Sequence, residues 1–212
     1  MSRYFITGAA GFIGSHFVRE LLAGAYGDGV ESVTVYDKLT YAGNLANLSP
    51  VWENPRFRFV QADIGDDVAI TPVVASAQAV VNFAAETHVD RSIMDAGEFV
   101  LTDVFGTFVL LEALRRTPAV EFFIHVSTDE VYGSRDQGLF KEEDSLHPSS
   151  PYSASKAGAD RLAYSYYVTY GLPVIILRPS NNFGPYQYPE KFIPLFATRA
   201  IEGQPLPLYG RG

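Results

Sequence analysis

The sequence predicts an α/β fold, a doubly wound parallel sheet, and three observations predict it. Six short apolar runs rich in β-branched and aromatic residues, at 3–7, 32–36, 57–61, 79–83, 122–126 and 173–177, alternate with segments of helical period, the pattern of strands joined by crossover helices. The first run leads directly into Gly8-Ala-Ala-Gly11-Phe-Ile-Gly14 and then into a helical segment, so strand, glycine loop and helix follow one another. The second run ends on an acid, Asp37, about twenty residues past that loop, where a ribose would sit. Together they make the fold Rossmann-type, and 212 residues suffice for one such domain with the start of a smaller C-terminal region.

Taken in order, the first glycine lets the chain turn sharply, the second lets backbone N–H groups approach a pyrophosphate, and the third lets helix and strand pack closely. The spacing alone also fits an ordinary turn, as Asp37 alone fits a strand-terminal Asp. Loop and acid together favour a cofactor, and a carboxylate there selects NAD over NADP, because a 2′-phosphate would meet like charge. Residues 38–44 form a polar loop, and Asp63 at the end of the third run either reaches an adenine edge or caps the next helix. After the fourth run, Ala84 and Ala85 permit close cofactor approach, while Glu86, Thr87, His88 and Asp90 are polar enough to line a pocket; His88 and Asp90 fit equally well a hydrogen-bonded loop pair. Residues 96–116 read as one long helix with Thr102, Gly106 and Thr107 as a small strip, suited to close packing or to a ligand.

The fifth run, Phe122-Phe-Ile-His-Val126, delivers Ser127-Thr128-Asp129-Glu130 at the carboxyl end of its strand, where open α/β sheets place ligands. Tyr152 and Lys156 follow on a helical segment, spaced to share one face, so the ammonium favours the phenolate. A Tyr-x-x-x-Lys spacing is common in helices and says little alone. The same helix carries Tyr164, Tyr166, Tyr167 and Tyr170, more aromatic surface than one helix face of a monomer needs, which predicts a subunit interface, core packing being the alternative. The loop after the sixth run offers two amides, Asn181 and Asn182, and Lys191, suited to sugar hydroxyls and phosphate oxygens; residues 192–202 read as helix.

Composition excludes several classes. A net charge of −8 argues against a nucleic-acid or anionic-membrane surface. There is no cysteine, and the four histidines show no ligand spacing, so no metal is expected. No apolar run spans a bilayer and no signal-peptide pattern opens the chain, which makes a cytoplasmic location the expectation.

These residues resemble the extended short-chain dehydrogenase/reductases and, among them, the dTDP-glucose 4,6-dehydratases. The broad pattern is the glycine loop with Tyr152-x-x-x-Lys156. The narrower one is Asp37-Lys-Leu-Thr-Tyr-Ala-Gly-Asn44, Ala85-Glu-Thr-His-Val-Asp-Arg-Ser92, Thr128-Asp-Glu-Val-Tyr-Gly133 and Asn181-Asn-Phe-Gly-Pro-Tyr-Gln187 with Pro189-Glu-Lys191. Related 4-epimerases and decarboxylases share the Tyr/Lys pair but typically lack the Thr-Asp-Glu run. The chain departs from the pattern at Asp103, usually Asn, at Pro179-Ser180, and at Phe183 in place of Tyr.

The resemblance implies a lyase that uses NAD to oxidise C4 of dTDP-glucose, eliminates water across C5 and C6, and returns the hydride to C6, a step of deoxysugar biosynthesis. Catalytic residues would be Thr128, Asp129, Glu130, Tyr152 and Lys156, with Tyr152 the base at O4, Glu130 the base at C5 and Asp129 the acid at O6. Mutual repulsion of the two carboxylates would set them apart. Gly8, Gly11, Phe12, Ile13, Gly14, Asp37, Lys38, Leu39, Thr40, Asp63, Ile64, Ala84, Ala85, Thr102, Tyr152, Lys156 and Asn182 would contact NAD. Thr87, Thr128, Asn181, Lys191, Phe192, Pro207 and Tyr209 would contact the nucleotide sugar. Residues 1–180 would be the NAD-binding domain, and 181–212 the beginning of a nucleotide-sugar-binding region that family chains continue. A homodimer through helices 96–116 and 152–170 is implied too, as are two alternatives on the same fold: a sugar-nucleotide 4-epimerase or decarboxylase, and a non-catalytic NAD-binding protein.

Overall fold

The computed structural model describes residues 2–208. Six parallel strands, β1 (Ser2–Thr7), β2 (Val30–Asp37), β3 (Phe57–Gln61), β4 (Ala79–Asn82), β5 (Phe122–Val126) and β6 (Val174–Leu177), form one sheet in the order β3-β2-β1-β4-β5-β6. Strand order reverses between β1 and β4, the doubly wound Rossmann arrangement.

Both faces of the sheet are covered, so successive side chains of a strand enter different cores. Phe5, Val80 and Phe123 pack on one side with Leu110, Leu111 and Leu114 from α5 (Thr107–Arg115), Ile70 from α2 (Asp67–Val74) and Tyr166 from α6 (Pro151–Tyr170). Ile6 and Val81, one residue further along, pack on the other with Val35 of β2 and with Val18 and Leu21 of α1 (Phe12–Leu22). Strands buried on both faces must be apolar throughout, which is why they read as continuous apolar runs.

Three expectations change. The helix expected over 96–116 is α4 (Ala96–Phe99), a π-helical stretch (Val100–Gly106) and α5, with α3 (Val89–Met94) before them. The side chain that caps α2 is Asp66, which accepts from the Ala69 nitrogen at 3.0 Å; Asp63 instead accepts from Gly65 at 2.9 Å. Tyr166 is core, its hydroxyl donating to Glu112 at 2.7 Å, while Tyr164, Tyr167 and Tyr170 are about half exposed. The helix predicted at 192–202 is α7 (Phe192–Ile201), and among the described residues no helix is long and apolar enough to cross a membrane.

Candidate active site

Ends of β1, β4 and β5 meet around a cavity of about 350 Å³, beside the switch point where parallel sheets take ligands. Gly8 has φ +68, and a Cβ there would stand 2.4 Å from the Ala84 nitrogen, so only glycine fits between β1 and β4. Gly14 is confined by the loop itself, a Cβ meeting Ala9 Cα at 2.7 Å, where the spacing predicts helix–strand packing. Gly11 gives α1 no side-chain cap, so its first-turn N–H groups have none to meet, the arrangement that receives a phosphate. Asp37 ties this end together: its carboxylate accepts from Ala10 N at 2.9 Å and Leu39 N at 2.8 Å. Each oxygen keeps a lone pair for a further donor. Burial raises its pKa and those backbone N–H groups oppose the rise. Lys38 and Asp63, both half exposed, pair at 2.8 Å on the rim. These groups fit a dinucleotide: glycines for close approach, N–H groups for its phosphates, a carboxylate for its ribose.

At the other end β5 delivers Thr128 and the 3-10 turn Asp129–Tyr132. Thr128 caps that turn by accepting from the Glu130 nitrogen at 3.2 Å. α6 is started sharply by a reciprocal Ser150/Ser153 capping box and Pro151 at its first turn, which fixes where Tyr152 and Lys156 fall. Lys156 is 4% exposed and its ammonium donates to the Val126 carbonyl at 2.8 Å, anchoring the helix to the end of β5. Burial lowers its pKa, against the charges of Asp103 and Asp160.

Electrostatics depart from expectation at two residues. Burial, then the charge of Glu130, pushes the Tyr152 phenol up, and the Thr128 hydroxyl only partly offsets this. Tyr152 therefore rests as the neutral phenol, where Tyr–Lys proximity predicts a lowered one. Glu130 is raised first by its own burial and only second by Asp129, while Lys191 pulls it down. Desolvation rather than mutual repulsion brings this carboxylate toward neutrality.

Of the expected cofactor residues all but Leu39 line the cavity; Leu39, at φ 59, is partly buried and packs against the core. Thr87, Thr128, Asn181 and Lys191 line it, as do Glu130, Tyr152 and Lys156. Asp129 lines a second cavity with Tyr132 and Arg178, its carboxylate accepting from the Thr128 hydroxyl at 3.3 Å. Phe192 is 70% exposed against Phe196, and neither it nor Pro207 lines the main cavity. Tyr209 lies outside the described residues. His88, at φ 115, precedes α3 with its Nδ1 buried and unpartnered among the described residues, and exposed Asp90 is not its partner. Gln187, Tyr188 and Glu190 also line the cavity. Sequence reasoning passes over them, although they adjoin Lys191 in a polar, aromatic run. Asp103 is fully buried, accepting from Glu86 N at 2.9 Å and from the Ser155 hydroxyl at 2.6 Å. It fastens the loop after β4 to α6, a role no local pattern announces.

The family model described as GDP-mannose 4,6 dehydratase matches residues 5–212. A dTDP-glucose 4,6-dehydratase of Streptomyces niveus is 52% identical over 211 residues, 99% of this chain, which spans 62% of that protein's length. The structure of DesIV, a dTDP-glucose 4,6-dehydratase from Streptomyces venezuelae with NAD and TYD bound, superposes with a TM-score of 0.97 at 55% identity, over 99% of this chain and 65% of that one. A UDP-glucuronic acid 4-epimerase from Bacillus cereus, solved with UDP-glucuronic acid and NAD, has a TM-score of 0.91 but 29% identity, over 99% of this chain and 66% of its own. With its glycine loop, Tyr/Lys helix and nearly its whole length matched, the chain belongs to the GDP-mannose 4,6 dehydratase family.

Proposed function

We propose that this chain forms the NAD-binding and acid–base part of a dTDP-glucose 4,6-dehydratase, converting dTDP-glucose to dTDP-4-keto-6-deoxy-glucose. One observation carries the reading: Thr128 and Glu130 line the same cavity as Tyr152, Lys156 and the glycine loop, which puts a second base beside the Tyr/Lys pair. The likeness in sequence to dTDP-glucose 4,6-dehydratases, far above that to the epimerase, points the same way.

Gly8, Gly11, Asp37 and Lys156 would hold NAD, which supplies the hydride acceptor and later donor. Thr128 hydrogen-bonds the sugar O4 and Tyr152 takes its proton as the phenolate, a form that burial and Glu130 oppose and that Lys156 with the positive charge of a bound nicotinamide would favour. Once C4 is a ketone the C5 proton is acidic, and Glu130, half-buried and raised toward neutrality, is the base that removes it. Asp129, whose carboxylate accepts from the Thr128 hydroxyl in the cofactor-free chain, would act in its protonated form as the acid at the departing O6. Asn181 and Lys191 take the nucleotide-sugar side. Residues 1–180 act as the NAD-binding domain and 181–212 begin the sugar-nucleotide region. Half-exposed apolar side chains on the segment 96–116 and on helix α6 support a homodimer, and the reading includes a cytoplasmic location.

Incubation with NAD and dTDP-glucose, followed by mass analysis of the nucleotide sugar, tests it. Loss of one water is expected, and Glu130→Gln should slow it by about 10²–10⁴-fold while NAD binding persists. An isomer of unchanged mass would sink the dehydratase reading in favour of an epimerase.

A further inference from the structure

Residues 181–191 run from the end of β6 and form a strap over the cavity, whose opposite wall includes the glycine loop. Asn181, Asn182, Gln187 and Glu190 line it from the strap, Gly11 and Asp37 from the sheet.

The strap is pinned at two places. Over α1, Gly184 lies against the Phe12 ring, a Cβ there standing 3.7 Å away, and the Arg19 guanidinium sits 4.3 Å from the centre of the Tyr186 ring. Tyr186 is held at φ 70, a conformation a bulky residue keeps only when its surroundings enforce it. At the other end a Glu190 carboxylate oxygen lies 3.3 Å from the Tyr41 hydroxyl, and the second is 3.8 Å from Arg91 Nε. The Tyr41 hydroxyl donates to the Thr87 carbonyl at 2.5 Å, Arg91 lies over the Tyr41 ring at 3.5 Å, and Tyr188 meets that ring edge-on at 5.5 Å. Tyr41 thus joins three separate segments: the loop after β2, the loop after β4, and the strap. The Arg91–Glu190 pair, with Arg91 half exposed, contributes little alone. The partly buried tyrosine hydroxyl is the stronger part of the clasp.

We propose that Tyr41, Arg91 and Glu190 are positioning residues that hold the strap closed over the dinucleotide, so that NAD stays bound from the first step of the reaction to the last. The inference rests on the dehydratase reading. A dehydration with no net redox change returns the cofactor to its starting form, so reduced cofactor lost midway would carry off the hydride owed to C6 and leave the dehydrated sugar unreduced there. None of the three residues touches the acid–base groups, and retention is what such a clasp can supply.

The test is the rate at which NAD leaves. The chain is loaded with NAD, diluted into excess ADP-ribose, filtered at intervals, and the retained NAD measured. Tyr41→Phe, which keeps the ring, should release NAD about tenfold faster. Glu190→Ala, which removes the strap's contacts to both Tyr41 and Arg91, should do likewise. The double variant should release NAD more slowly than the two single effects combined predict, because Tyr41 and Glu190 belong to one cluster. Arg19→Met, at the other pin, should add to Tyr41→Phe. A merely structural Tyr41 would lower the melting midpoint of the NAD-free chain and leave the release rate alone, and that result would overturn the proposal. So would parental release rates in all variants of a chain that binds NAD. A parent that holds no NAD would overturn the cofactor reading itself, and the strap with it.

Discussion

At the residue scale, the informative group is Glu130, because its surroundings pull in opposite directions. Burial and the neighbouring Asp129 raise its pKa while Lys191 lowers it, and a base works only while ionised. Activity should therefore fall as pH drops through a value above the ordinary carboxylate range of about 4.3. Lys191→Met removes the lowering charge, so the acid limb of kcat should move to higher pH. Asp129→Asn removes a raising charge, and the limb should move to lower pH. Opposite displacements in kcat–pH profiles are the expected result; displacement the same way in both would remove Glu130 as the titrating base. Tyr152 shows where sequence spacing stops: four-residue separation on a helix predicts an ammonium's help. Burial and Glu130, which raise the phenol, are tertiary facts that spacing along a helix does not carry.

At the element scale, strands were legible and helix irregularities were not. The runs 57–61 and 122–126 coincide with β3 and β5 because apolar stretches between turns admit few other boundaries. The 3-10 turn Leu45–Val51 and the short helix α3 have weaker patterns and go unread. The π-helical stretch Val100–Gly106 has no sequence signature, yet it carries Thr102 at the cavity and Asp103 against Ser155. Such turns gather at functional sites. One tie between elements is testable. Asp160 on α6 is fully buried and bonded by Arg178, just past β6, through Nε at 2.7 Å and a second nitrogen at 3.0 Å, with Arg161 alongside. Burial pushes Asp160 up, but the two guanidiniums more than offset it and hold it below its usual value. A lowered carboxylate stabilises above its unfolded pKa of about 3.9 and loses this as pH falls. Arg178→Met would leave a buried charge half paired, at about 3 kcal/mol and a melting midpoint lower by roughly 10 °C at pH 7. Half-exposed Arg161→Met should cost under about 1 kcal/mol. Equal losses from both would contradict this division of roles.

At the scale of the whole molecule, two neighbouring helical segments expose rows of apolar side chains that the proposed homodimer would cover. Leu101, Phe105 and Phe108 recur at helical spacing and are 57%, 48% and 41% exposed; Tyr164, Tyr167 and Val168 do the same on α6, at 49%, 55% and 61%. The two segments pack side by side, Gly158 of α6 lying so close that a Cβ would meet Val104 at 3.2 Å. Their outer faces therefore make one patch, and patches of that kind on soluble proteins are usually interfaces. The inner faces of the same helices carry Thr102, Asp103, Tyr152 and Lys156, so docking two copies would brace the catalytic helix from behind. Analytical ultracentrifugation at micromolar concentration should give a dimer for the parent chain and a monomer for Phe105→Asp with Tyr167→Asp, two half-exposed sites where a charge costs the single copy little. In that monomer NAD should still bind, because the glycine loop and Asp37 lie on other elements, while turnover should fall as α6 loses its support. A parent chain that sediments as a monomer at tens of micromolar would remove the interface. A monomeric variant with full turnover would keep the interface but free the active site from any dependence on it.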